Sequence, residues 1–464
     1  MRKPFFLFYF PLVTIFLQNY TLYAAQIPRL RVHLGDLQKV ELNFPAGGKV
    51  FSNLSKGPIK RLYKKKSLAL RVNKGFIKIS HQKKKQTLYF KGNNGELSMN
   101  GRLFEGIIKI KVQNKKLRVI NVINLESYLL GVVGNEMSAS WPMEALKAQA
   151  VLARTYALKK LKTRAHQTDK DFDLCNNIHC QVYGGKSKSI KILDSVRKTL
   201  GQVVVDKSNK LINAFYSASC GGKTASNNHV WGGKILPYLV TKVDPYCVQS
   251  DRIYWKRTYP YLDVIKKLQK KYPLIRNTRK IKVKYSRKTG RVESVTFSHP
   301  QQSYEIDGVA LRQIMNVRKF PSNIFKVVLK AGKVSEPELF AVSLPGSHSK
   351  WAISKKQLQK KKYYIKDFIS EKRGRKSKVA GAVTVRAPLT YLKKTIKKLN
   401  QQVDNLNDTL VFLGRGYGHG VGMCQWGSRI QAELSRSYRE IIEFYFKGVS
   451  IKNLYQPGRS LRHP

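Results

Sequence analysis

Acidic residues are scarce in this chain of 464 residues: 27 Asp and Glu stand against 88 Lys and Arg, which gives a formal net charge of +61. A field of this sign attracts polyanions, namely nucleic acid, anionic lipid surfaces or an anionic cell-wall polymer. The charge alone does not choose among these partners. Because 42% of the residues are hydrophobic and 11% are aromatic, the composition excludes a disordered chain and indicates a globular protein.

The sequence also lacks a convincing membrane span, since its N-terminal apolar run, Phe5–Leu17, is too short and too early for one. Arg2 and Lys3 precede this run and two alanines follow it at positions 24–25, which is the order found in a secretory signal. We therefore predict a signal peptide over residues 1–25, with an uncleaved signal anchor as the alternative. Export argues against nucleic acid as the partner and favours an envelope polymer or a membrane surface.

Cysteines are few, and their number is odd. The five are Cys175, Cys180, Cys220, Cys247 and Cys424. In an exported protein, pairs of these residues can form disulfides, and the odd count leaves at least one thiol or metal ligand over. Cys220 and Cys247 are either a disulfide or two buried thiols, and their spacing does not decide between these.

A second cysteine pair lies close to histidines. Cys175, His179 and Cys180 fall within six residues, and His166 is a candidate fourth ligand. Zinc favours tetrahedral sets of Cys and His. The spacing is not a standard CxxC pair, so a Cys175–Cys180 disulfide remains the alternative.

The order of the predicted elements indicates an α+β fold without internal repeats. Alternating apolar and polar residues predict a β-rich N-terminal region, and mixed helices and strands follow it. The chain divides, after residues 1–25, into the β-rich region 28–123, the first part of a catalytic core at 124–254, a hairpin-and-helix segment at 255–330, a lysine-rich surface insertion at 331–398 and the C-terminal part of the core at 399–464.

The stretch Asn124–Lys160 carries the first candidate site. Glu136 follows an apolar run, and we predict that it lies in a loop before a helix that starts after Pro142. Lys147 and Arg154 are two helical turns apart, so they share one face of that helix, and this face can point back towards Glu136. Each of these residues alone is more simply explained as a solvated surface group.

A glycine-rich stretch near the C-terminus, Leu413–Gly427, carries the second candidate site. Five alternating glycines lead into a helix, and backbone N–H groups in such loops can bind anions. The pattern is not a dinucleotide or P-loop fingerprint, because no Lys-Ser/Thr follows it. His419 within it could bind a substrate or carry a proton, and a histidine bonded to a loop carbonyl is the plainer reading.

Taken together, these segments resemble the SpoIID/LytB family of bacterial cell-wall proteins, named for stage II sporulation protein D and an amidase enhancer. The resemblance rests on five segments in the same order: LESYLLGVVGNEMSASWPMEALKAQAVLARTYAL, DLCNNIHCQVYGG, FYSASCGGKT, VWGG with PYL, and GRGYGHGVGMCQWG. Cys424 and the lysine-rich insertion depart from the family pattern.

The resemblance implies an exported peptidoglycan lytic transglycosylase that cleaves glycan between N-acetylmuramic acid and N-acetylglucosamine, with Glu136 of the NEM motif as the catalytic acid. It implies substrate-binding roles for Lys147 and Arg154, and we assign the same role to Tyr216, Lys223 and His419. The family also includes zinc-binding members, which supports a structural zinc at His166, Cys175, His179 and Cys180, although the chemistry requires no cofactor.

The implied partners are peptidoglycan strands and cell-wall amidases rather than nucleic acid, and the implied location is the cell envelope, with membrane contact only through an uncleaved signal anchor. A non-catalytic wall-binding enhancer of an amidase is the alternative function. The residues fit the enzyme, because a hydrolase normally needs two carboxylates, whereas a transglycosylase can use one carboxyl group first as acid and then as base. The Glu136 segment has no obvious second catalytic carboxylate.

Overall fold

The computed structural model describes residues 27–78, 86–163, 169–177, 179–249, 253–275, 280–299, 302–330, 339–343, 350–354 and 408–455. The predicted signal peptide, His166 and most of the predicted insertion lie outside these ranges. Within them, no helix combines the length and the apolar character needed to cross a lipid bilayer. Helices and several sheets are both present, so the prediction of an α+β fold is confirmed.

A ten-stranded sheet dominates the N-terminal region. Its strands are β1 (Arg29–Leu37), β2 (Lys39–Phe44), β3 (Gly48–Phe51), β4 (Lys60–Leu62), β5 (Lys66–Asn73), β6 (Phe76–Lys78), β7 (Thr87–Met99), β8 (Arg102–Gln113), β9 (Lys116–Asn124) and β10 (Leu174–Cys175). The main path runs β10-β1-β9-β8-β7-β2-β5-β6, and β3 pairs with β7 and β4. All neighbours are antiparallel except β10, which joins β1 in parallel.

Alternation of side chains explains this sheet, because successive residues of a strand point to opposite faces. In β1 and β2 the apolar residues Leu30, Val32 and Val40 are fully buried, while the neighbouring Arg31 and Lys39 are exposed. The prediction of a β-rich N-terminal region is confirmed. Strand β9 lies inside the sheet and leads directly into the first helix.

Three helices pack together after the sheet: α1 (Leu125–Glu136), α2 (Met143–Thr163) and α3 (Ile190–Arg197). Asn124 caps α1, and its side-chain oxygen accepts a hydrogen bond from the Ser127 N–H at 2.8 Å. The predicted helix after Pro142 is confirmed as α2. Every residue from Ala148 to Leu158 is buried, so α2 is enclosed on all sides and forms the centre of the larger core.

The middle of the chain adds short elements and then a second core. The short elements are β11 (Gln202–Val205), β12 (Tyr216–Ser217), α4 (Asn227–Trp231) and a 3₁₀ turn over Cys247–Gln249. The second core is built from β13 (Tyr254–Pro260), α5 (Tyr261–Gln269), β14 (Lys280–Tyr285), β15 (Val292–His299), β16 (Gln302–Asp307), α6 (Gly308–Ile314) and β17 (Phe325–Lys330). At its centre Phe320 packs edge to face against both Trp255 and Phe325.

The last described part of the chain completes sheets that begin much earlier. In the predicted insertion, β18 (Leu339–Ser343) and β19 (Lys350–Ser354) form an antiparallel pair. They are followed by β20 (Thr409–Arg415), β21 (Met423–Cys424), α7 (Gln425–Glu433), α8 (Tyr438–Tyr445) and β22 (Ser450–Asn453). Strand β20 lies between β13 and β17, β21 pairs in parallel with β12, and β22 pairs with β11. This return places the glycine-rich stretch beside α1 and α2.

Candidate active site

The Glu136 carboxyl group lies at the last residue of α1. The predicted loop is therefore wrong at this position, because the apolar run Tyr128–Val133 is helical and buried. An uninterrupted apolar run has no periodicity that separates a helix from a turn or a strand. This position affects the ionisation of Glu136, because the C-terminal end of a helix carries partial negative charge and opposes ionisation of a carboxyl group there.

Three hydrogen-bond donors face the half-buried Glu136 carboxyl group. The Val182 N–H donates to Oε1 at 2.9 Å, and Nε2 of Gln425 donates to Oε2 at 3.3 Å. The Tyr216 hydroxyl also stabilises the carboxylate. Burial raises the pKa of Glu136 above its usual value, and the three hydrogen bonds offset part of this rise. Such a group retains its proton longer than an exposed glutamate and is still stabilised after giving it up.

A buried network fixes the direction of the Tyr216 hydroxyl. Gln181 accepts a hydrogen bond from the Tyr128 hydroxyl at 3.2 Å and donates one to the Tyr216 oxygen at 3.0 Å. Because Gln181 supplies a donor to that oxygen, the proton of Tyr216 remains available for Glu136. Tyr216, which the sequence assigned to substrate binding, is thus placed at the carboxyl group itself.

Two glutamines beside Glu136 were missed by sequence reasoning. Gln425 stands between the Glu136 carboxylate and Gln149, whose Oε1 lies 3.4 Å from Nε2 of Gln425. Gln149 is fully buried, and its Nε2 has no hydrogen-bond partner within the described part of the chain. Amide side chains are uncharged and are not obvious candidates for a site in a sequence. The one indication for Gln425 was its position at the end of the glycine-rich stretch.

Lys147 and Arg154 share one face of α2, as their spacing predicted, but that face does not point towards Glu136. Gln149, which reaches Glu136 through Gln425, is about 200° from Lys147 around the helix axis. Within the described residues, neither cation contacts the Glu136 carboxyl group. The seven-residue spacing correctly predicted that the two side chains share a face of α2. The direction of that face depends on the elements that pack around α2.

Arg154 is instead part of a buried ion pair. Its guanidinium bonds both carboxylate oxygens of Glu126 at 2.7 Å, and it donates to the Gln202 carbonyl at 3.1 Å. The Tyr455 hydroxyl also donates to Glu126. Arg154 is fully buried, so the structure gives it an ion-pair role, and its contact with a substrate stays a prediction. Glu126 lies ten residues before Glu136, about 15 Å along α1.

Lys147 has a structural partner as well. Its ammonium group lies 2.6 Å from Oε1 of Glu144, and the other oxygen of Glu144 accepts the Tyr438 N–H at 2.9 Å, at the start of α8. The Lys147 ammonium also lies 5.4 Å from the centre of the Tyr438 ring. This pair therefore joins α2 to α8, away from the carboxyl group that Lys147 was expected to face.

Three backbone N–H groups of the glycine-rich stretch, which could have bound an anion, are bonded within the protein. Within the described residues, the N–H groups of Gly416, Tyr417 and Gly418 donate to the carbonyls of earlier segments at 2.6 to 2.9 Å. Gly420 and Gly422 have positive φ values, and a Cβ at Gly420 would lie 1.9 Å from the Arg291 side chain. The glycines therefore permit close packing of the loop against the core, because any side chain would collide.

His419 holds this loop to β12. Its Nδ1 accepts the Val421 N–H at 3.0 Å, and its other nitrogen bonds the backbone of Tyr216. Burial lowers the pKa of His419 to about 3, so the ring is neutral at physiological pH. It therefore positions Tyr216, and a proton-carrying role does not fit this environment. Lys223 makes a backbone bridge with Val243, and no described contact joins it to Glu136.

Aromatic rings flank the segments that carry the Glu136 donors. Trp141 and Trp426 lie 5.0 Å apart, and the Arg429 guanidinium lies over both rings. Next to Tyr216, the Phe215 ring packs on Trp231 at 4.8 Å, and Trp231 is 49% exposed. Accessible aromatic rings beside a half-buried polar group are typical of a ligand-binding site.

The sequence-predicted metal ligands lie together beside the sheet edge. Nδ1 of His179 is 3.6 Å from the Cys175 sulfur and 3.5 Å from the Cys180 sulfur. These three ligand atoms lie within 4.8 Å of one another, which fits three positions of a tetrahedral zinc site. The candidate fourth ligand, His166, lies outside the described residues. A second group of ligand atoms is formed by Cys220, Asp244, Cys247 and Cys424.

The sequence of this chain is similar to those of several known bacterial proteins. A family model described as Stage II sporulation protein matches residues 113–205, which include Glu136 and α2. The chain is 28% identical over 368 residues to an uncharacterised protein of Brachyspira hyodysenteriae, covering 79% of this chain and 77% of that protein. It is 29% identical over 332 residues to the amidase enhancer of Bacillus subtilis, covering 70% of this chain and 40% of that protein. It is 23% identical over 357 residues to stage II sporulation protein D of Bacillus subtilis, covering 74% and 79% respectively.

Proposed function

Since the chain belongs to the SpoIID/LytB family of bacterial cell-wall proteins, we propose that it is an exported lytic transglycosylase acting on peptidoglycan in the cell envelope. Its substrate is the glycan strand, already stripped of stem peptides. The observation that carries this proposal is the Glu136 carboxyl group, whose pKa is raised by burial and which faces three hydrogen-bond donors. Within the described residues no second carboxylate contacts it.

The reaction requires one group to act twice. Protonated Glu136 donates its proton to the glycosidic oxygen as the bond to C1 of the muramic acid residue breaks, with positive charge developing on the ring. The resulting carboxylate then accepts the proton of that sugar's C6 hydroxyl, whose oxygen bonds to C1. The product is a 1,6-anhydro ring, no water is consumed, and Glu136 ends protonated as it began.

The surroundings of Glu136 support both halves of this cycle. Burial favours the protonated acid at the start, and the donors from Val182, Gln425 and Tyr216 stabilise the carboxylate formed in the middle. A hydrolase that adds water normally needs a second carboxylate some 5 to 9.5 Å away. The aromatic rings of Trp231 and Trp426 offer apolar faces for sugar rings. The charge of +61 suits an anionic wall polymer.

Water labelling tests the reaction type. We expect digestion of peptide-stripped glycan in oxygen-18-labelled water to give anhydro-ended fragments without the label, measured by mass spectrometry. A hydrolase would give reducing ends that carry one labelled oxygen. Labelled reducing ends as the main enzyme-dependent product would overturn the transglycosylase assignment.

Replacing Tyr216 with phenylalanine removes one donor to the carboxylate. Because that donor favours ionised Glu136, we expect the pKa of Glu136 to rise further in Tyr216→Phe, and the alkaline limb of kcat/KM to move to higher pH. A neutral hydrogen bond contributes about 0.5 to 1.5 kcal/mol, so the limb should move by about 0.4 to 1.1 pH units. The measurement is a pH profile of glycan cleavage.

Tyr438→Phe is the matched control, because the Tyr438 hydroxyl donates to Gln202 at 2.9 Å, on the side of α2 away from Glu136. Its pH profile should coincide with that of the wild type. A Tyr216→Phe profile that moves to lower pH would contradict the assigned direction of the hydrogen bond.

The relative named amidase enhancer favours a second candidate function, namely stimulation of a cell-wall amidase by wall binding. Under this function Glu136→Gln would leave wall binding and amidase stimulation unchanged, and the wild type would produce no anhydro ends. Purified amidase with and without this protein, assayed on intact wall, separates the two candidates. The proposed structural zinc at Cys175, His179 and Cys180 takes no part in either reaction.

A further inference from the structure

Four buried ligand residues outside the Glu136 site converge at the junction of three segments. Cys220 follows β12, Asp244 and Cys247 lie at the 3₁₀ turn, and Cys424 ends β21. Their three sulfurs and a carboxylate oxygen all lie within 4.8 Å of one another, and each residue is at most 1% exposed. Ligands around a tetrahedral zinc with Zn–S bonds of about 2.3 Å are about 3.8 Å apart. The four residues therefore already have nearly the spacing that zinc requires.

From this arrangement we propose that Cys220, Asp244, Cys247 and Cys424 bind a structural zinc ion. The site is separate from the Cys175 cluster and does not depend on the reaction proposed for Glu136. It assigns a purpose to Cys424, which departs from the family pattern, and it joins the C-terminal part of the chain to two earlier loops.

Hydrogen bonds around the cluster are directed at the ligand atoms. The Cys424 sulfur accepts the N–H groups of Cys220 and Gly427, each at 3.3 Å. The Tyr445 hydroxyl donates to Oδ2 of Asp244 at 2.9 Å, and the Cys247 N–H donates to its Oδ1 at 3.0 Å. Outer groups of this kind orient metal ligands and stabilise their charge. A Cβ at Gly427 would lie 2.5 Å from Asp244, so the packing there leaves no room for a side chain.

The charges near the cluster also favour a metal. Two buried arginines, Arg291 and Arg415, interact favourably with the sulfurs of Cys220 and Cys247, and neither forms an ion pair with a carboxylate in the described ranges. Three thiolates and Asp244 carry four negative charges and zinc carries two positive ones, which leaves two negative charges. The two arginines compensate these, as buried charges require.

A disulfide is the competing arrangement, because an exported protein can oxidise its thiols. A Cys220–Cys247 bond would use two sulfurs and would leave the Cys424 thiol and the Asp244 carboxylate buried without a metal ion. Zinc uses all four groups, and Cys220, Cys247 and Cys424 form no disulfide in the structure. The thiolate-rich donor set with one carboxylate suits zinc better than magnesium or calcium, which prefer oxygen ligands.

The site has a direct connection to the carboxyl group of the active site. Cys424 immediately precedes Gln425, whose amide donates to Glu136 at 3.3 Å. The Cys424 side chain also caps α7 by accepting the Gly427 N–H. Bound zinc would therefore fix the start of α7, and with it the position of Gln425 beside Glu136.

Zinc content measured by mass spectrometry tests the site in the full exported protein. The Cys175→Ser variant removes the other candidate cluster, and we expect it to retain about one zinc per chain. Adding Cys424→Ser should lower this to under about a tenth, while adding Cys180→Ser, the matched control, should leave it unchanged. Absence of zinc from Cys175→Ser, or zinc that survives Cys424→Ser, would overturn the proposal.

Two further measurements keep the proposal testable if Cys424→Ser does not fold. X-ray absorption of zinc in the Cys175→Ser protein should show three sulfur neighbours and one oxygen, and any set with fewer than three sulfurs would overturn it. A non-reducing peptide map should lack a Cys220–Cys247 linkage, and finding that linkage in metal-free protein would establish the disulfide instead. Neither readout involves glycan cleavage, so failure here is distinguishable from failure of the proposed enzyme activity.

Discussion

Glu136→Gln should lower the rate of glycan cleavage by a factor of about 10² to 10⁴, the range that a positioned general acid contributes. The amide cannot give a proton to the glycosidic oxygen or take one from the C6 hydroxyl, so both halves of the reaction fail. Its carbonyl oxygen can still accept the Val182 N–H, which preserves the local packing around α1. The measurement is the yield of anhydro-ended fragments per unit time, compared with the wild type.

The matched control is Glu443→Gln, an identical change at an exposed position of α8, which should leave activity unchanged. If Glu136→Gln retained more than about a tenth of the wild-type rate, the contribution expected of a general acid would be absent. Normal binding of the variant to glycan would show that the loss lies in the chemical step.

The pH dependence of stability gives Glu136→Gln a second signature. The folded pKa of Glu136 is raised above its unfolded value, so the proton is bound more tightly in the folded state. Its contribution to the free energy of unfolding is present below the unfolded pKa and is lost as the pH rises through the folded pKa. Glutamine does not ionise, so the stability of the Glu136→Gln variant does not fall in this way as the pH rises. Denaturation at neutral pH should therefore find it at least as stable as the wild type.

The parts of the fold that sequence reasoning could predict are those with a local signal. Alternation fixed the strands of the N-terminal sheet, and Pro142 with the alanine-rich run after it fixed the start of α2. The helix α1 could not be distinguished from a turn, because its apolar run Tyr128–Val133 is buried all round and has no polar face. Local patterns report which groups are buried but not which elements surround them.

The candidate site shows the same division between local and long-range information. Glu136 was singled out by its motif and its sequence neighbours. Its donors come from Val182, Tyr216 and Gln425 on three separate segments, and no spacing in the sequence could bring these together. A glutamine has no charge that would mark it as a candidate site residue in the sequence, and a backbone N–H belongs to almost every residue type, so neither donor could be identified from the sequence. Charge was the misleading guide, because the cations Lys147 and Arg154 pair with other carboxylates.

Arg154 provides the clearest test of that correction, because its assigned role is structural. Arg154→Met should lower the free energy of unfolding by about 3 to 5 kcal/mol, the usual cost of leaving a buried charge without its partner. The charge left behind is Glu126, whose side chain is 12% exposed; of its side-chain partners among the described residues, the Tyr455 hydroxyl would remain. The measurement is equilibrium denaturation with urea, followed by circular dichroism.

Two further variants separate the ion pair from a substrate contact. The double variant Glu126→Gln/Arg154→Met should recover much of the lost stability, because it removes the unpaired charge and leaves similar volumes in the core. Lys147→Met breaks a pair that is more exposed and should cost only about 0 to 1 kcal/mol. A substrate-binding arginine would behave differently: Arg154→Met would then unfold at the wild-type urea concentration and show a raised KM. That result would restore the role first assigned from the sequence and would require Glu126 to release the guanidinium when glycan binds.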